Sequence, residues 1–471
     1  MPTASENSLA EKQAVWKVGT LTYSMAGLVI LFTWLLMGDF AWNARERTVI
    51  PLAQVMLKGG GASDALVGLL VGSFPAAMGM LISPIIGYRS DRYRSRLGRR
   101  IPFLLISTPL AAASMIGLAF SPAAGEWLHQ SLGELSPGRP GCFLILFSFC
   151  WVIFEIAAIT GNNLFLALIN DVVPRAVLGR FFGLFRIVSL GVGIGFNFFL
   201  MGKAESHLLE MFLALAVIYG LGFGLMCLRV KEGAYPQPSE ETERVAFFTA
   251  VKQYFRECFY HPYYRWLFGV SALAIVAFAP VNTFSIFYAK SVGMGLDDYG
   301  KALAVGFVLS LIVSYPVGVL ADRVHPLRIA IGSLFLYIPL CFWGALFAKT
   351  PGTFAFGFVA HVVVTGLYFT GTASIGQRLF PKETFAQFAS AAQIILGLLT
   401  MLVPPAVGVL LDKTGHQYPL TFLAGGILSV IASAGFFVLL GYFKRLGGDQ
   451  SYSPPTLGEA TNRDSRWLAN R

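Results

Sequence analysis

Apolar runs of about 20 residues, the length a helix needs to cross about 30 Å of hydrocarbon, follow one another along almost the whole chain. Twelve qualify: 21–42, extending to 57 if the helix runs on, then 65–88, 101–120, 142–170, 180–201, 208–228, 264–289, 299–321, 327–348, 352–376, 384–410 and 418–443. The pattern predicts an all-α integral membrane protein. The first run follows a polar, mixed-charge start (Glu6, Glu11, Lys12, Lys17), is long, and lacks a small-residue cleavage site before a soluble domain. It therefore reads as a retained first span and not a removed signal peptide.

The longest polar interruption, Arg229 to Tyr264, carries Pro236, Pro238, Glu240, Glu241 and Glu243 and divides six spans from six. The expected organisation is a cytoplasmic tail over 1–20, a six-helix bundle over 21–228, a cytoplasmic linker over 229–263, a second six-helix bundle over 264–443 and a disordered cytoplasmic tail over 444–471. Val245–Tyr260 mixes Phe and Tyr with Lys252 and Arg256, and fits an amphipathic helix on the membrane surface and a solvated linker equally well.

Composition agrees with this reading: of 471 residues 55% are hydrophobic and 13% charged, and mean hydropathy is +0.65. The net charge of +10 matters through its distribution. With the N-terminus in the cytoplasm, most Lys and Arg fall in the tails and even-numbered connections, which satisfies the positive-inside rule and places both termini on the cytoplasmic side of an inner membrane. No soluble basic module is present, so nucleic acid is not an expected partner. Cys142, Cys150, Cys227, Cys258 and Cys341 are scattered, without metal-ligand spacing, and read as small apolar fillers, with no metal site expected. Glycine is abundant, at 50 residues, yet neither a P-loop nor a dinucleotide fingerprint is present. An enzyme, an ATP-driven pump or a cofactor is therefore not expected.

The halves carry traces of duplication, as transporters built from parallel repeats do. Gly87-Tyr-Arg-Ser-Asp91-Arg92 after the second run is echoed by Gly318-Val-Leu-Ala-Asp322-Arg323 after the eighth. A weaker echo sets Pro174 and Arg186 at the same spacing as Pro381 and Gln393. Glycine there would let helix ends approach closely, and Asp with the arginines would form charge-assisted bonds to neighbouring helix ends, a latch that breaks when the halves rock. Arg89, Arg92, Arg94, Arg96, Arg99 and Arg100 could equally do no more than enforce orientation.

Ionisable side chains inside the spans are costly and therefore functional candidates: Asp39, Glu155, Arg186 and His361. Asp39, Asn43 and Glu46 fall at i, i+4 and i+7 and make one polar stripe if the first helix continues. The fourth run offers Glu155, Asn162 and Asn163; the fifth, Arg186, Ser189 and Asn197; the tenth, His361, Thr365, Tyr368 and Thr372. Together they suggest an aqueous cavity with carboxylates on one bundle and neutral hydrogen-bonding groups on the other. Such a cavity suits a sugar, with Trp42 or Tyr368 against its C–H faces. The plainer alternatives are that Asp39 and Glu155 are ion-pair partners of Arg186, that His361 is a packing residue, that the asparagines are interhelical bonds, and that Trp42 is an anchor.

The string from Gly87 to Phe103 (Gly-Tyr-Arg-Ser-Asp-Arg-Tyr-Arg-Ser-Arg-Leu-Gly-Arg-Arg-Ile-Pro-Phe) resembles the cytoplasmic loop of the sucrose transporters. These belong to the glycoside-pentoside-hexuronide:cation symporters of the major facilitator superfamily. Phe40-Ala-Trp42 followed by Pro51 resembles their first-helix pattern, and Asp39-Phe40 resembles the Asp-Phe of melibiose permease, where the Asp binds sugar. Glu155, Thr160, Ala167-Leu168 and Asp171 resemble the fourth-helix pattern, with Glu in place of Asp, and Arg186 is similar in place, though not in spacing from Asp171, to a functional fifth-helix arginine. The resemblance spans about residues 35–200 and is only architectural beyond. Two departures bear on coupling and substrate. Sodium-using melibiose permeases carry paired acids in the second helix, which Ala65–Tyr88 lacks, and Arg45-Glu46-Arg47 adds charge where the relatives are more neutral.

The expected function is secondary transport: proton-coupled symport of a sugar or glycoside by alternating access, from a central site between two bundles. Substrate contacts are expected at Asp39, Trp42, Asn43, Glu155, Asn162, Arg186, His361 and Tyr368, with proton coupling at Glu155 and Asp39. The latch would use Gly87, Asp91, Arg92, Arg99, Arg100, Asp171, Gly318, Asp322 and Arg323. Alternatives are an efflux or other-solute carrier of the same fold, or a non-transporting pigment or antenna assembly factor, against which the intramembrane carboxylates argue.

Overall fold

The computed structural model describes residues 16–235, 247–381 and 384–455; the side chain of Asp322 and those of a few other helical residues lie outside the description. The linker residues Pro236, Pro238, Glu240, Glu241 and Glu243 also lie outside the described residues.

Twelve helices are long and apolar enough to span a bilayer: Met25–Gly59, Asp64–Arg92, Ile101–Leu135, Arg139–Val172, Ala176–Lys203, Leu208–Arg229, Pro262–Ser291, Leu296–Ala321, Pro326–Phe347, Pro351–Leu379, Gln387–Lys413 and Pro419–Arg445. They are the first to twelfth spans below. In hydrocarbon a chain satisfies its backbone groups internally, which is why apolar runs this long become helices. Many of their large apolar side chains face outward, among them Ile106, Ile187, Phe199 and Phe356, as expected where lipid is the solvent. A short hairpin precedes them, β1 (Trp16–Val18) paired antiparallel with β2 (Leu21–Tyr23).

The first helix does run on, as one 35-residue element with Pro51 inside it. The third is longer than hydropathy suggests, because Ser121-Pro122 lies within the helix Ile101–Leu132 and does not end it. Pro is tolerated there since neighbouring helices re-satisfy the freed backbone groups. Residues Phe247–Phe259 form a helix whose Tyr254 hydroxyl and Cys258 thiol donate to the Gln387 carbonyl on the eleventh span.

The tail expected to be disordered is ordered up to Pro455. Tyr452 supplies the reason: its ring packs 5.3 Å from Phe443 and its hydroxyl donates to the Leu379 carbonyl at 2.8 Å.

The chain divides into two compact units. One holds the described residues up to Ala62 and those from Met78 to Tyr235; the other holds Ser63–Ala77 and the described residues from Phe247 onward. Small residues set the helix spacing inside each. In the first unit a Cβ on Gly125 would meet the Phe143 backbone at 2.8 Å, so the third and fourth spans touch backbone to backbone. In the second unit a Cβ on Gly408 would collide with the Asp64 carbonyl oxygen, so the start of the second span lies directly against the eleventh.

Candidate functional site

Asp39 to Arg47 occupy about two turns of the first span, so their side chains distribute around the helix. Asn43 Nδ2 donates to Asp39 Oδ1 at 2.6 Å and to the Asp39 carbonyl at 3.0 Å. Asp39 is fully buried, and its Oδ2 has no hydrogen-bond partner among the described residues.

Trp42 and Arg45, three residues apart and so on one face, both reach the fourth span. Trp42 Nε1 donates to Asn162 Oδ1 at 2.6 Å, and Arg45 Nη2 donates to the same oxygen at 2.5 Å. Arg45 is 2% exposed; its guanidinium lies over the rings of Tyr219 at 5.2 Å and Phe154 at 5.9 Å, and pairs with Glu46 at 3.2 Å. Its Nε has no partner among the described residues. Glu155 is buried two turns before Asn162, and the charges that act on it are those of Glu46 and Arg45.

Beside this buried group is a cavity of about 510 Å³ lined by Trp42, Asn43, Glu46, Arg47, Phe182, Phe185, Arg186 and Ser189. Trp42 and Phe182 flank Phe185, with ring centroids 5.7 Å and 5.9 Å from it, and build an aromatic wall. Arg47 Nη2 donates to Ser189 Oγ at 2.9 Å. The cavity therefore offers guanidinium donors, one carboxylate, an amide and aromatic faces.

Trp42, Asn43 and Arg186 thus line the cavity, Asn162 stands behind Trp42, and Asp39 and Glu155 are buried to the side. Among the described residues no ion pair joins Arg186 to Asp39 or Glu155; the cation beside Glu155 is Arg45. Sequence reasoning missed Arg45 and Arg47 as members of the site, together with Phe182 and Phe185. The available signal was the i, i+3 spacing of Trp42 and Arg45, which sends both to one neighbour.

In the second unit His361 is fully buried. Asn282 Oδ1, 2.9 Å from Nε2, can only accept, so Nε2 carries the proton and Nδ1 accepts from the Tyr337 hydroxyl at 2.8 Å. Tyr368 is 1% exposed and packs 5.4 Å from the Phe278 ring.

The loop after the second span forms a charge cluster. Arg99 binds Asp171 through Nη2 at 2.7 Å and Nε at 3.1 Å; Arg100 reaches Asp171 at 3.3 Å and also pairs with Asp91. Arg92 instead stacks on Tyr88 at 3.6 Å. Glu232, unnoticed in the sequence, accepts the backbone N–H groups of Arg99, Arg100 and Ile101 at 3.0, 2.8 and 2.7 Å and caps the third span. Neither repeat glycine sits at a close approach: a Cβ on Gly87 or Gly318 would meet nothing within 4 Å. Arg323 is exposed.

Residues 52–382 match the family described as MFS/sugar transport protein. A nitrite extrusion protein of Bacillus subtilis is 22% identical over 381 residues, 79% of this chain and 84% of that protein. A sucrose transport protein of Oryza sativa is 30% identical over 93 residues, 20% of this chain and 16% of that protein. Among solved structures, a bacterial homolog of the human lysosomal transporter Spinster aligns with a TM-score of 0.64 at 15% identity, over 91% of this chain and 98% of that one. A D-xylose-proton symporter aligns with a TM-score of 0.58 at 15% identity, over 87% and 96%. At such identities the structures establish a shared fold.

Proposed function

Because the chain belongs to the MFS/sugar transport protein family, and so is a multi-pass membrane transporter of small-molecule solutes and not an enzyme, we propose that it carries a sugar or glycoside together with a proton. It works by alternating access, in an inner membrane, with both termini cytoplasmic. The observation that carries this reading is the Asp39 carboxyl, fully buried, with one oxygen held by Asn43 and the other without a partner among the described residues. An ionised oxygen there is expensive, whereas a proton on it removes the larger cost of burying the charge.

Asn43 links that carboxyl to the cavity. A solute hydroxyl that binds the Asn43 amide competes with Asp39 for it, so solute occupancy and proton occupancy at Asp39 become coupled. Glu155 is the first choice for the coupling carboxyl, with Arg45 as the charge it exchanges against, and Asp39 for the solute side; the reverse assignment works by the same chemistry. Trp42 and Arg186 contact the solute from the cavity wall, and Asn162 positions Trp42. Solute contact at His361 requires Asn282 or Tyr337 to release it, and at Tyr368 requires that buried ring to be uncovered. Arg99, Arg100, Asp91 and Asp171 serve as the latch that breaks in the transport cycle, Arg92 acts beside them, and Gly318, Asp322 and Arg323 form its echo.

Uptake into vesicles with an imposed proton gradient, using a panel of labelled sugars, tests the proposal. Gradient-driven accumulation of at least one supports it; accumulation that needs sodium and survives collapse of the proton gradient contradicts it. A second reading, carriage of another solute or efflux, is favoured by the nitrite extrusion relative, which matches over most of both chains.

A further inference from the structure

We infer that a groove between the first, fifth and sixth spans seats an acyl chain of a bilayer phospholipid, and that Glu210 at its mouth selects the ethanolamine headgroup. The groove is distinct from the solute cavity, and the inference holds whatever the solute is.

The groove encloses about 670 Å³. Each wall is one face of a helix: Phe40 and Ala44 on the first span, Gly191 and Gly195 on the fifth, Ala214 and Ile218 on the sixth, every pair four residues apart. Glycine inside a helix is destabilising, and in membranes a close helix contact commonly accompanies it. Gly38 and Gly222 have such a contact, since a Cβ there would meet Met226 at 2.7 Å and Ala41 at 3.0 Å. At Gly191 and Gly195 a Cβ would meet nothing within 4 Å. These two glycines open space where the others close it.

The surroundings decide what fills that space. Phe40, Leu200 and Ile218 line the groove and are 49%, 44% and 38% exposed, so it opens on the outer surface of the bundle. Its lining is apolar apart from Thr48 and Glu210, and water finds too few partners in such a site. A void would forfeit dispersion contacts along every wall. Hydrocarbon is the remaining occupant, because lipid is the solvent of that surface. The length agrees: Val188 to Leu200 is about 18 Å of helix, and one leaflet of the hydrocarbon core is about 15 Å.

Glu210 lies in the first turn of the sixth span, at the membrane surface where a headgroup sits, and is exposed. Lys203 and Glu205, in the connection before it, are not part of the lining. The charge at the mouth is therefore one carboxylate, which favours an ammonium group with N–H donors. A choline headgroup carries that charge without N–H donors, and a glycerol headgroup leaves the lipid anionic. On other faces of the same helices Asn43 and Ser189 line the solute cavity, so the lipid and the solute share two walls.

The test is lipid retention by the purified full-length protein after reconstitution in vesicles of equal parts dioleoyl phosphatidylethanolamine, phosphatidylcholine and phosphatidylglycerol. Native mass spectrometry identifies the last lipid to leave as collision energy rises. The parent is expected to hold phosphatidylethanolamine about two- to fivefold over either competitor, as an exposed ion pair can supply, and added salt to narrow the ratio. Glu210→Gln should keep a lipid bound but bring the ratio toward one, and Glu210→Lys should turn the preference to phosphatidylglycerol. Gly191→Leu and Gly195→Leu fill the groove without a clash at Cβ, and each should lose that last lipid. The ratio within one protein is the readout for the Glu210 variants, so partial loss of folded protein cannot mimic the result.

Equal retention of the three lipids by the parent, or a preference that survives Glu210→Gln, overturns the inference. Unchanged retention in both glycine variants overturns it as well. A dimer in place of the lipid adduct, dissociated by Gly195→Leu, would overturn it by assigning the groove to a second copy of this chain.

Discussion

Arg45 Nη2 lies 2.5 Å from Asn162 Oδ1, an oxygen that also takes the Trp42 indole proton at 2.6 Å. One amide oxygen therefore ties a buried cation on the first span and an aromatic wall of the cavity to the fourth span. Replacing Asn162 by Leu leaves the Trp42 indole N–H without its acceptor and the buried Arg45 guanidinium with Glu46 alone. The expected loss is on the order of 3 kcal/mol of stability, from the buried charge more than from the neutral bond. Thermal unfolding in detergent reads it, and Asn162→Asp, which restores an acceptor, is expected to recover most of the loss.

Glu232 takes three backbone N–H groups at the start of the third span, where the helix dipole also favours an anion. Glu232→Ala is expected to cost about 1–2 kcal/mol. It should also speed amide exchange at Arg99, Arg100 and Ile101 without changing exchange in the sixth to eighth spans. Hydrogen exchange read by mass spectrometry checks this; unchanged exchange at those three amides contradicts the capping role.

His325 lies in the connection between the eighth and ninth spans, where its Nδ1 accepts the Leu327 N–H at 3.3 Å and its ring packs 4.3 Å from Phe443. Burial, with the positive charges of Arg378 and Arg328, outweighs Asp449 and holds the imidazole down to about 4 from its ordinary 6.5. A lowered value means that the unfolded chain takes up the proton first. The stabilisation is present above pH 6.5 and drains away as pH falls toward 4. His325→Asn keeps an N-cap acceptor without titrating, so its melting temperature should fall less than the parent's across that window. Parallel declines would show that His325 does not contribute.

The twelve spans were legible because lipid imposes one rule on every backbone group, and hydropathy records it directly. The spacing of Asp39, Asn43 and Glu46 on one helix was legible from helical period, whereas the bond from Asn43 to Asp39 was not foreseen. The cation whose charge acts on Glu155 was not. Arg186 was the expected cation because it stands alone within a span, whereas Arg45 sits in a charged triplet that resembles a helix end. Only the length of the first helix, which carries Arg45 deep inside, reveals it as the buried charge. Glu232 escaped notice for a different reason. Its role depends on a chain reversal that brings the residue after the sixth span to the start of the third, and no local spacing encodes that. For the part of the tail up to Pro455, proline and charge do not register the single Tyr452 that anchors it.

Proton coupling at Asp39 and Glu155 is the central claim, and accumulation of solute against its gradient by Asp39→Asn and Glu155→Gln tests it most directly. Both substitutions keep side-chain shape and remove titration. The proteins are reconstituted in equal amounts, with insertion verified, and a proton gradient is imposed with the best substrate of the panel. At least one variant is expected to lose gradient-driven accumulation while still exchanging labelled for unlabelled solute across the membrane. If both variants accumulate solute as the parent does, the carboxyls are structural and the coupling mechanism is wrong.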